Sequence, residues 1–238
     1  VRIVSVTDGR SGHHALPPEE LVAVRREEAR QAGERIGAET DVWDFPDGSL
    51  QPTLELRHAI IREIRRFQPD LVLTHRPYDY HPDHRAVGTA VQDASYLVTV
   101  PHLCEDVPAL RRDPVVAYMC DLFTRPNPLR PDVVLDIGDE FDWVVQMTAC
   151  HVSQFFEWLP YHDGILDEVP AEPHARFEWL NQRLAKLHAR RCEAFQETLV
   201  ELGLPLKADN RVEIYELSEY AGRADQSLLN KLFPGSLT

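Results

Sequence analysis

Asp70-Leu71-Val72-Leu73-Thr74, followed by His75-Arg76-Pro77-Tyr78-Asp79-Tyr80-His81-Pro82-Asp83-His84, is the stretch that decides the fold. The first five residues read as a short strand, apolar enough to be buried on both faces. Pro69 stops the helix before it, since proline cannot continue a helical ladder. The next ten form a polar loop, and after His84 the alanines and valines Ala86, Ala90, Val91 and Ala94 recur at helical spacing. Strand, polar loop and helix in that order make one half of a βαβ unit.

Upstream, the same order recurs. Val1–Thr7 alternates like a strand, and Asp8-Gly9 turns it. Pro17-Pro18-Glu19-Glu20 suits the first turn of a helix, and Gly37 suits its end. Asp41–Phe45 reads as a strand, and Thr53 can cap a helix carrying Leu56, Ile60, Ile61 and Ile64. Downstream, Val115–Met119, Val133–Ile137 and Val212–Leu217 read as strands, with helices expected over 139–158 and 177–202. We expect an α/β fold, a Rossmann-like and mostly parallel sheet flanked by helices. Ligands of such sheets bind beyond the carboxyl ends of the strands, which directs attention to the loops Thr7–His14 and His75–His84.

The 238 residues, 43% hydrophobic and 27% charged, are ordinary for a globular chain, and one domain over 1–238 is expected. The formal charge of −14 repels phosphate backbones and anionic lipid, which argues against nucleic-acid partners. Arg62, Arg65 and Arg66 read as a solvated helix face. No apolar run approaches a membrane span. Cys104, Cys120, Cys150 and Cys192 form no C-x-x-C pair; free thiols, and with them a cytoplasmic location, are expected.

Within Asp79–His84, two imidazoles and two carboxylates fall in six residues. Neutral imidazole is a good zinc ligand, and carboxylates fix the tautomer of ligating rings. One histidine of the pair His81 and His84 can hold metal while the other moves protons. Composition alone leaves a polar surface loop as an equal reading.

The segment Asp79-Tyr80-His81-Pro82-Asp83-His84 after a strand ending in Thr74 resembles the D-x-H-x-D-H motif of the LmbE-like (PIG-L) N-acetylglucosaminyl de-N-acetylases. Thr7-Asp8-Gly9, Arg25-x-x-Glu28, Gln68-Pro69-Asp70, Asp136-Ile137, His151-x-Ser153-Gln154 and Glu216-x-x-Glu219-Tyr220 arrive in the family's order. The resemblance implies a zinc-dependent hydrolase that removes the acetyl group of an N-acetylated amino sugar. It implies His84 as a zinc ligand, His81 as the imidazolium that protonates the leaving amine, and Asp83 as the group that orients His81. Arg25, Asp79, His151 and Gln154 would face the substrate, although Arg25 lies one turn from Glu28, and an ion pair between them is an equal reading.

The sequence also departs from the family. The A-H-P-D-D-E motif that supplies a further histidine and aspartate to the metal is absent, as are its strand and helix, so these residues by themselves are expected to be inactive or nearly so. Trp143 stands where relatives often carry lysine, and a long helical insertion is expected at about 155–211. The competing expectation is a carbohydrate-binding or regulatory homologue without catalysis. A homo-oligomer fits either reading.

Overall fold

A computed structural model describes residues 1–204 and 209–237. The α/β class read from the sequence is borne out: helices flank two sheets. The chain divides into two compact units.

The first unit comprises Val1–Ser49, Ile137–Arg190 and a short stretch ending at Arg211. It contains β1 (Arg2–Thr7), α1 (Pro18–Arg35), β2 (Glu39–Phe45) and, farther along the chain, α4 (Phe141–Ala149). β1 and β2 pair in parallel, with α1 as the crossover. Pro18 opens α1 with Glu19 and Glu20 in its first turn, and Gly37, at φ +65°, follows its end. The buried face of α1 runs through Leu21, Glu28 and Ala32; an acid on that stripe needs partners, and it has them (below). The helix expected over 139–158 is interrupted. α4 stops at Ala149, and a π-helical turn, Ser153–Trp158, follows, running into α5 (Leu159–His162). Phe141, Val145, Phe156 and Leu180 form the core here.

The second unit holds Leu50–Asp136, a segment that begins at Arg191, and the chain from Val212 on. Its elements include α2 (Leu54–Phe67), β3 (Leu71–Thr74), α3 (Pro82–Leu97), β4 (Val115–Met119) and β5 (Val133–Asp136). α6 (Pro173–Ala194) runs into this unit from the first, and α7 (Gln196–Glu201), β6 (Val212–Leu217) and α8 (Gln226–Leu232) complete it. The sheet order is β3-β4-β6-β5. β3 and β4 are parallel, as expected, whereas β6 inserts antiparallel between β4 and β5. Thr53 caps α2 by accepting from the Leu56 N–H, as its position suggested.

Two expectations are corrected in this unit. β3 is not buried on both faces: among the described residues it pairs with β4 alone, at the end of the sheet, and Leu73 is 44% exposed. Arg65 is not on a solvated face. It is 1% exposed, and its guanidinium donates to the carbonyls of Leu97, Val98, Val100, Leu103, Cys104 and Val107. Leu97 and Val98 end α3, where carbonyls lack helical donors, so a side chain of α2 closes the end of α3. The helix expected over 177–202 starts earlier, at Pro173, and breaks at Phe195 between α6 and α7.

Candidate active site

The loop from β3 to α3 is fixed by its own polar side chains. Asp79 Oδ1 accepts from the His81 N–H at 2.8 Å, and His81 caps α3 by accepting from the Asp83 N–H at its Nδ1, 3.2 Å away. Pro82 then occupies the first helical position, where a missing N–H costs nothing. The Asp83 carboxylate, in the positive first turn of α3, accepts from the Leu50 N–H at 3.1 Å. Asp83 thus touches His81 through its backbone N–H. Since His81 Nδ1 is an acceptor, the ring's N–H lies on Nε2.

Asp79 Oδ1 also meets His84 Nδ1 at 2.8 Å. A carboxylate there places the proton on Nδ1 and leaves Nε2 with a free lone pair, the arrangement found around metal-ligating histidines. Burial works to raise the Asp79 carboxyl, but the hydrogen bonds from His84 and from the His81 N–H outweigh it and hold it below the ordinary value. His75, the first residue after β3, stacks on His84 with ring centres 3.9 Å apart and planes 6° from parallel. Burial, reinforced by the neighbouring His84, pushes His75 down to about 4, so it is neutral at pH 7. The donor atoms of His75, Asp79 and His84 all lie within 4.8 Å of one another. Imidazole nitrogens and a carboxylate suit a borderline divalent cation such as zinc.

Gly88 makes this approach possible. A Cβ there would come within 2.5 Å of the His75 carbonyl oxygen, so only glycine lets α3 lie directly against the backbone that carries His75.

His81, Asp83, His84 and Asp79 therefore form one cluster, to which the structure adds His75. The sequence reading passed over His75, whose one signal was its place immediately after a strand. Arg25, His151 and Gln154 lie in the first unit. Arg25 does not spend its guanidinium on Glu28; its Nη2 donates to Gly12 O at 2.9 Å, and its stem packs on Gly9. Burial lowers its pKa, against the pull of Glu28, Asp47 and Glu157. Both Glu28 oxygens are taken by Ser153, one by its N–H and one by its hydroxyl, each at 2.7 Å. This fastens the π-helical turn to α1. His151, just before that turn, is pushed down by burial and lines a cleft of about 250 Å³ with Ile3, Ser5, Asp41, Met147 and Thr148. Gln154 is half-buried, one turn-length on.

Residues 1–95 match the family model of the GlcNAc-PI de-N-acetylases, PIG-L. The chain is 30% identical over 168 residues to the diacetylchitobiose deacetylase of Thermococcus kodakarensis, covering 66% of this chain and 60% of that protein. It is 27% identical over 146 residues to the 4-oxalmesaconate hydratase of Pseudomonas putida, covering 58% of this chain and 53% of that one. The matches thus span between half and two thirds of these two relatives. The N,N′-diacetylchitobiose deacetylase structure from Pyrococcus horikoshii is similar in fold, with a TM-score of 0.64 at 20% identity over 92% of this chain and 73% of that one. The stretch that matches the PIG-L model, residues 1–95, holds the whole histidine cluster.

Proposed function

We propose that this protein belongs to a zinc-dependent deacetylase that releases acetate from an N-acetylated amino sugar and works in the cytoplasm. The observation that carries the reading is the triad of His75, Asp79 and His84, donor atoms within 4.8 Å, beside an imidazole with its N–H on Nε2. Four free cysteines support the reducing compartment. Among the described residues no helix is long and apolar enough to cross a membrane.

His84, through Nε2, and His75 would hold the cation, with Asp79 steadying His84 through Nδ1. A divalent cation held there supplies Lewis acidity toward the acetyl carbonyl and toward a water nucleophile. In the reaction, water adds to the acetyl carbon and the C–N bond breaks. One proton of that water passes to the leaving nitrogen, and His81 Nε2–H would donate a hydrogen bond to the carbonyl oxygen as it gains charge, a contribution of about 10²–10³ in rate. The Asp83 N–H holds Nδ1 so that Nε2 keeps its proton for that hydrogen bond. Arg25, His151 and Gln154 are proposed to bind the sugar.

The test is acetate release from N,N′-diacetylchitobiose by the zinc-loaded chain, with a His84→Ala variant alongside. Acetate from the parent chain and none from the variant supports the proposal. Equal zinc binding by the parent chain and the His84→Ala variant sinks it. The similarity to a hydratase favours one second reading, water addition to a carbon–carbon double bond. Loss of ultraviolet absorbance from an unsaturated dicarboxylate, without acetate, would select it.

A further inference from the structure

Tyr80 is held in an unusual way. Its side chain is 65% exposed, which leaves most of a large aromatic surface in water at a cost of about 25 cal/mol per Å². A loose loop would fold such a ring inward. Here the backbone is tied on both sides. Arg85 Nη1 donates to Asp79 O at 2.8 Å and to Tyr80 O at 2.9 Å, while Asp79 Oδ1 takes the N–H of His81 on the other side. The ring stands at 77° to His81 and 78° to His84, with centres 5.7 and 5.4 Å away.

An open aromatic on a tied backbone beside a reactive cluster binds at small entropic cost, because only two side-chain torsions have to be fixed. We propose that Tyr80 is a specificity-determining platform on which a pyranose ring of the substrate stacks. This rests on the deacetylase reading and names the part of the substrate that the site selects. A pyranose ring offers a face of C–H groups to an aromatic surface and carries its N-acetyl group on the edge. Stacked on Tyr80, it stands upright to both imidazoles, so that an edge substituent rather than the ring face is what meets them.

The experiment uses the zinc-loaded full chain and the variants Tyr80→Ala, Tyr80→Phe and Tyr80→Trp. Binding of N,N′-diacetylchitobiose is followed by saturation-transfer NMR titration, and acetate release is followed with that sugar and with the ring-free amide N-acetylethanolamine. Tyr80→Ala is expected to weaken sugar binding and raise its KM about tenfold, with kcat little changed. Tyr80→Phe and Tyr80→Trp should stay within about threefold of the parent, since they keep the ring. kcat/KM for N-acetylethanolamine should not change. Equal sugar binding by Tyr80→Ala and the parent overturns the platform. So does a Tyr80→Phe loss as large as that of alanine, or an equal loss on the ring-free amide. If the parent binds the sugar but releases no acetate, the binding arm alone decides Tyr80; if zinc binds the parent but the sugar does not, the platform falls while the metal site stands.

Discussion

The imidazoles of His75 and His84 lie face to face, 3.9 Å between centres, and His84 alone of the two touches Asp79 through Nδ1. One ring is thus set by a carboxylate and the other by packing. His75→Phe keeps the stack and deletes the donor. We expect it to fold like the parent and to lose zinc affinity at least tenfold by isothermal titration. Asp79→Asn keeps the shape but removes the charge that holds the His84 tautomer; a loss of about 10–100-fold is expected. Unchanged affinity in His75→Phe would remove His75 from the set of ligands.

The depressed His75 also makes a statement about acid stability. A histidine that the fold keeps neutral binds more protons once unfolded, so lowering the pH favours the unfolded chain. With an ordinary value near 6.5 and a folded one of about 4, the metal-free chain should lose stability as pH falls through that window. The loss attributable to this ring is at most about 3 kcal/mol. Urea denaturation at pH 7, 5.5 and 4 measures it, and His75→Phe should flatten the pH dependence. A parent and variant that fall in parallel would assign the effect to other groups.

Arg65 closes the end of α3 with five N–H groups in a planar fork. Arg65→Met fills similar volume yet leaves several buried carbonyls without donors, each costing about 1–3 kcal/mol. We expect a loss of about 3 kcal/mol or more in unfolding free energy. Arg65→Lys should rescue little, because an ammonium has three donors at a single point. A loss below about 1 kcal/mol would mean that water satisfies those carbonyls.

Gly88→Ala places a methyl against the backbone of His75 and Arg76. Overpacking of this kind costs about 1–3 kcal/mol, and here it also pushes α3, with His84, away from His75. The variant should therefore lose zinc affinity as well as thermal stability. Stability lost with affinity intact would show that the cluster re-forms.

Most of the fold was legible because strands and helices write themselves into neighbouring residues. Val115–Met119 and Val212–Leu217 were bounded as observed, and Thr53 caps the helix it was expected to cap. The order of strands was less so: that β6 runs antiparallel between β4 and β5 depends on pairings over about a hundred residues. The site divides the same way. The residues from Asp79 to His84 are local and the motif named them, although Asp79, expected to face the substrate, bonds His84 Nδ1. Glu28 binding Ser153 spans 125 residues, and Arg65 reaches carbonyls 32 to 42 residues on; neither leaves a local trace. An arginine among charged helix neighbours looks solvated until the loop that it binds is in place.

The histidine that would steady the developing charge also starts a helix, and the acid beside it anchors that helix to Leu50. Architecture alone would therefore select for much of this sequence signature. A descendant that gave up chemistry would still be under pressure to keep His81, Pro82 and Asp83, while His75 and His84 would be free to drift. Among relatives, survival of the first three testifies to folding, and it is the imidazole pair across the loop that testifies to turnover.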